Sequence, residues 1–171
     1  MKNRPFVLPA LTELYDVEIP PKECSFANRI ANGGYDFINP HIAAERFPLT
    51  LPPGRRPLAL AHFDDTVAND DIRAWLDDSQ YRFAVSDDML AVGANSTYKR
   101  LQCRFPIVLP CNPVLVFGDQ QVLCLTGSKN RRGLDLYSLD RNWAGKFRFL
   151  VVHKMPDPPP VGRPHDSSHT H

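Results

Sequence analysis

Apolar positions along this chain come in short runs with changing period. Between Leu101 and Lys154 five such runs occur: Arg104–Leu109, Val114–Phe117, Val122–Leu125, Gly133–Leu139 and Phe147–His153. Each is the length of a strand and is bounded by turn residues such as Gly118-Asp119-Gln120, Gly127–Arg132 and Asp140–Gly145. The pattern predicts an antiparallel meander. Upstream, Thr12–Ile19 alternates apolar and polar and ends at Pro20-Pro21, so it reads as another strand. Leu58–Phe63 (LALAHF) reads the same way, and a short strand is expected near Phe47–Leu51. Pro52–Pro57 is a loop on its turn chemistry.

Three segments switch to helical spacing. In Asn69–Ser79, Ile72, Trp75 and Leu76 fall at i, i+3 and i+4 on one face. Asn69 is the expected N-cap, with Asp70 and Asp71 favoured by the helix dipole in the first turn. A second helix is expected with Ser86 as its N-cap, Asp87 and Asp88 in its first turn and Gly93 as its stop. Lys22–Asn32 reads as a third, ended by Gly33-Gly34. The predicted fold is therefore α+β: an antiparallel sheet of about five to seven strands, with two or three short helices packed on one face.

Composition changes the picture mainly at the ends. The chain has 171 residues and 17 prolines, nine of them before Leu58 and five after Lys154. The expected organisation is an irregular arm over 1–11, one globular domain over 12–154, and a disordered Pro- and His-rich tail over 155–171. Histidines at 165, 169 and 171 lie in that tail. Met1–Ala10 has no apolar core of a secretory leader, and no run approaches a membrane span. A cytoplasmic location, no membrane partner and reduced thiols are expected.

The order of residues resembles a group of short bacterial proteins that carry no assigned activity. Their pattern is E-L-L-A-x-G, F-P-I-V, R-x-L-D-L and R-F-L-x-x-x-K. Here it is matched by Asp88–Gly93, Arg104–Val108, Arg131–Leu136 and Arg148–Lys154, and departed from at Phe83-Ala84-Val85 and Cys111. The resemblance implies a single domain of bacterial or phage origin and no particular chemistry.

Charge is segregated beneath a net +1. Asp64 to Asp88 holds eight Asp against two Arg, a net −6. Lys99 to Lys154 holds ten Lys and Arg against three Asp, a net +7. The two segments either neutralise each other or leave a basic surface free for an anionic ligand. On the second reading Arg104, Lys129, Arg131, Arg132 and Arg148 would contact phosphates, and Trp143 would stack on bases of single-stranded nucleic acid. Asp64 and Asp65, at the end of an apolar strand, are candidate ligands for a divalent cation in a metal-assisted enzyme. Cys24, Cys103, Cys111 and Cys124 are 79, 8 and 13 residues apart, without the close pair usual for zinc. No glycine-rich phosphate loop or nucleophile elbow occurs, so no cofactor and no catalytic residue is expected. The leading expectation is a non-enzymatic binding module that contacts another protein through its Pro-rich flanks or basic loops.

Overall fold

A computed structural model describes residues 8–155, so residues 1–7 of the expected arm and the tail from 156 lie outside the described residues, while Ala10 and Leu11 of that arm belong to the first strand. The described elements are β1 (Ala10–Ile19), α1 (Phe26–Gly33), β2 (Phe37–Ile38), β3 (Gly54–His62), α2 (Asn69–Asp78), β4 (Tyr81–Phe83) and α3 (Ser86–Ala94). A 3-10 turn at Leu101–Cys103 follows, then β5 (Ile107–Val108), β6 (Val114–Val116), β7 (Asp119–Ser128), β8 (Arg131–Ser138) and β9 (Arg148–His153).

The class is α+β, but the sheet is larger than expected and mixed. Its nine strands run in the order β1-β3-β9-β5-β7-β8-β2, with β4 added beside β9 and β6 beside β7. Two pairings, β5 with β9 and β2 with β8, are parallel. The meander holds from β6 to β8, with β5 pairing β7 rather than β6, and then breaks. Instead of pairing with β8, the chain crosses to the middle of the sheet, where β9 lies between β3 and β5. The crossing is pinned where Val67 and Trp143 bridge backbone to backbone.

Helices cover both faces of the sheet, which corrects the one-face expectation. Leu58 and Leu60 of β3, Leu150 and Val152 of β9, and Leu123 and Leu125 of β7 pack against α3. The alternate residues Ala59, Ala61, Phe149, Val151, Val122 and Cys124 pack on the other side with Ile72, Trp75 and Leu76 of α2. Such strands read as continuous apolar runs because neither face meets water. The α2 face is rich in rings: Phe63 lies edge-on to Trp75 at 5.8 Å, and Trp143 edge-on to Phe147 at 5.1 Å.

Local chemistry explains the element boundaries. Ser25 Oγ accepts the Asn28 N–H and starts α1 later than expected, and Gly34 ends it in the left-handed conformation. Asn69 and Ser86 are not caps. Asp71 and Asp88 reach back instead to the Ala68 and Val85 N–H groups, and Asn69 bridges Leu139 O and Trp143 Nε1. β3 begins four residues early, at Gly54, and carries Pro57. Proline is tolerated there because β1 bulges at Tyr15-Asp16 directly opposite, leaving no ladder donor required. Phe47–Leu51 is not a strand, because the Thr50 and Leu51 N–H groups bond Asp87 rather than a neighbouring strand.

Candidate functional site

The 3-10 turn packs beside the β7–β8 hairpin, where Cys103 Sγ lies 3.7 Å from Arg131 O and Gln102 Nε2 donates to Thr126 O at 2.6 Å. Arg148 N–H donates to Pro106 O at 3.0 Å, which brings the start of β9 to the same end of the sheet. Lys99, Arg100, Arg104, Lys129, Arg131 and Lys146 are gathered at that end, and all six are exposed. The ion pairs among the described residues involve none of them.

Arg148 stands behind this group. Its guanidinium lies 4.4 Å over the Phe105 ring and donates to Gly145 O at 3.2 Å and Lys146 O at 3.1 Å. Burial is the main influence lowering its pKa, with Asp64 opposing that shift and Arg104 adding to it. The arrangement places exposed positive charge at one end of the sheet, with Arg148 held behind it.

Two residues assigned to that surface by sequence sit elsewhere. Trp143 is buried, its indole N–H donates to Asn69 Oδ1 at 2.6 Å, and its ring is covered by Arg141 at 5.2 Å. It is a core residue, unavailable for stacking on a base. Arg132 is buried too: it donates to Lys99 O, Gly33 O, Gly93 O and Gln102 Oε1, and its guanidinium lies 5.1 Å from the Tyr35 ring. Arg132 therefore ties the ends of α1 and α3 to β8 rather than facing solvent. Arg104, Lys129 and Arg131 are exposed, and Arg148 is half-buried.

Asp64 and Asp65 are exposed. Asp64 Oδ1 lies 3.8 Å from His62 Nδ1, and among the described residues no three His, Cys, Asp or Glu side chains converge.

The acidic segment spends its two most buried charges on arginines from elsewhere. Asp88 takes a two-point contact from Arg56, at 2.7 and 3.2 Å, and Asp87 takes Arg29 at 3.3 Å. Both carboxylates are fully buried. Their remaining acceptors take backbone N–H groups, so each has its hydrogen bonds satisfied. A sequence signal for this existed. Met89 to Gly93 is apolar on every side, so the helix had to be enclosed, and with it the first-turn carboxylates.

Sequence reasoning missed two further features. Glu13 joins His153 Nε2 at 2.7 Å and accepts the Tyr81 hydroxyl at 3.0 Å, clasping β1 to the β4–β9 ladder. Burial first, and then the bond and charge of Glu13, push the Tyr81 pKa up to about 12. The second feature is Phe117, at the tip of the β6–β7 hairpin. It is 94% exposed with φ +50, and Gly118 follows at φ +80.

No helix among the described residues is long and apolar enough to cross a membrane. No family model, curated protein or solved structure matches this chain.

Proposed function

We propose that this chain is a non-enzymatic binding module that docks an acidic protein surface through the basic end of its sheet. The observation that carries the reading is the group of six exposed cations on two neighbouring turns and the loop leading into β9, without an ion-pair partner among the described residues. Single-stranded nucleic acid would use the same charges but also needs rings for its bases. The ring assigned to that task, Trp143, is in the core, and Phe105 lies beneath Arg148. A carboxylate-rich protein surface needs only the cations, and Arg104 and Arg131 offer it planar, two-point donors.

The test is fluorescence anisotropy with a labelled Glu- and Asp-rich peptide and a labelled single-stranded RNA of equal charge, each at low and high salt. The peptide should bind more tightly than the RNA and weaken as salt rises. Replacing Arg104, Lys129 and Arg131 together by Glu should weaken peptide binding by about tenfold or more, because interface charges are close and like-charge juxtaposition is costly. Those residues lie outside the core, so the melting temperature should hold. Tighter RNA binding would replace this reading with the nucleic-acid one. Binding of neither probe would overturn the docking surface altogether.

A further inference from the structure

A cavity of about 300 Å³ lies between β1, α1 and α3, close to the lower bound of ligand-sized cavities. Leu90, Ala91 and Ala94 of α3 give it an apolar side, Arg29 and Asn32 of α1 a hydrogen-bonding side, and Asp16 and Glu18 of β1 an acidic side.

Arg29 is the informative residue. Only 5% of it is exposed, and it lines this cavity. Its Nε donates to Cys24 O at 3.1 Å and its Nη1 to Asp87 at 3.3 Å. Nη2 makes no hydrogen bond to the protein among the described residues and is not itself a buried atom, so it is a donor open to the cavity. Next to it, Asn32 Nδ2 has only the thiol of Cys24 at 3.9 Å, a weak acceptor. Arg29 Nη2 and Nδ2 of the exposed Asn32 thus line the cavity without a strong protein acceptor, and a carboxylate is the group that takes two donors at once.

The acidic side is also built. Asp16 sits in the β1 bulge at φ +57, a conformation uncommon for a residue other than glycine. Asn95 Nδ2 holds the bulge at Asp16 O at 3.2 Å, and the Tyr15 N–H donates to the Tyr98 hydroxyl at 2.7 Å. Arg55 lies 3.3 Å from Asp16 and 3.4 Å from Glu18, but all three side chains are largely exposed. Exposed pairs of this kind hold weakly and exchange readily for another cation.

We propose that this cavity binds a free α-amino acid with an aliphatic side chain. The ligand carboxylate takes Arg29 Nη2 and Asn32 Nδ2, its ammonium takes Asp16 and Glu18 in place of Arg55, and its side chain lies on Leu90, Ala91 and Ala94. The charge of Arg29 is already balanced by Asp87, so a ligand neutral overall suits the site better than a simple anion. This goes beyond the docking reading and uses none of its residues.

The experiment is thermal unfolding and calorimetry of the full chain with L-leucine, alongside isoamylamine and 4-methylpentanoate, which each keep one of its two charged groups. L-Leucine at ten times its Kd should raise the melting temperature by about 4 °C, and neither single-charge compound should match it. Asn32→Ala and Glu18→Gln should each weaken leucine binding several-fold while leaving the unliganded melting temperature unchanged. Ala94→Phe, which places a ring in the cavity, should abolish the shift. The proposal falls if L-leucine gives no shift, if the amine or the acid alone does as well, or if Ala94→Phe binds leucine normally.

Discussion

Replacing Tyr35 by Phe should make this protein more stable, and increasingly so as pH rises. The Tyr35 hydroxyl is buried without a hydrogen-bond partner, the one such side-chain atom among the described residues. Its ring is wedged against Gly33 and Gly93, where a Cβ would collide with it, and beneath the Arg132 guanidinium. A buried hydroxyl stripped of water and left unpaired costs about 1–3 kcal/mol. Phe keeps the ring and removes that cost, at the expense of a void the size of one oxygen. The expected net gain at neutral pH is about 1 kcal/mol.

The alkaline limb follows from linkage. Burial pushes the Tyr35 pKa up to about 12 from 10.0, with Arg132 opposing. The folded state therefore holds its phenolic proton longer than the unfolded chain does. The stability tied to that proton is fully present below pH 10 and is lost as pH climbs towards 12. The loss is about 1.4 kcal/mol one unit above the unfolded pKa, and about 2.7 kcal/mol once both states are ionised. The phenylalanine variant has no such proton. Its advantage should grow from about 1 kcal/mol at neutral pH to about 2.4 kcal/mol at one unit above the unfolded pKa. Urea unfolding at several pH values, followed by the fluorescence of buried Trp75 and Trp143, measures the difference directly. Comparing the two proteins cancels the other tyrosines and the thiols, which titrate in both. A variant less stable at neutral pH, or a difference that stays flat with pH, would refute the reasoning.

Three further outcomes are expected. Arg132→Lys keeps the charge but loses the planar fork that reaches Gly33, Gly93, Lys99 and Gln102. With several buried oxygens left unpaired it should lose about 3–5 kcal/mol in denaturant unfolding, and an undiminished midpoint would contradict its role as a tie. Asp88→Asn breaks the two-point contact with Arg56 and leaves that cation poorly matched, which should cost about 3 kcal/mol in the same assay. Phe117→Asn places a residue that tolerates positive φ at the hairpin tip and removes an exposed ring. Stability should rise by about 1 kcal/mol and solubility should improve, both readable by calorimetry and light scattering.

Strand positions were legible because burial of alternate residues leaves a period in the sequence. The five runs after Leu101 appear as β5 to β9 in order. What the period could not show was partnership across the chain. Nothing near Phe147 says that β9 pairs with β3 rather than β8, since both choices bury the same residues. Trp143 sits among Asp140, Arg141, Asn142 and Lys146, a context that reads as an exposed loop. A bridge to Val67, far away in sequence, draws it into the core. Arg131 and Arg132 look alike in sequence, yet alternation along β8 sends one to water and the other inward. Of the basic surface, charge and its clustering were readable from spacing; which cations were already spent on carbonyl oxygens was not.

The acidic and basic segments were free to neutralise each other, and how the charges are actually paired decides what the surface does. Asp87 and Asp88 are answered by Arg29 and Arg56, both from outside the basic segment. Those arginines are placed there by the first half of the chain, through α1 and β3. Asp70, Asp71, Asp77 and Asp78 remain in water on α2, which packs on the sheet through Ile72, Trp75 and Leu76. Asp64 of the acidic segment acts on Arg148, behind the exposed group. Folding therefore leaves most of the positive charge of the second half on the surface, with Arg132 buried and Arg148 half-buried. A net charge of +1 averages over this separation and conceals it. Attraction to an anionic partner would be set by the local field of one end, at distances comparable to the screening length of about 8–10 Å, and not by the charge of the molecule as a whole.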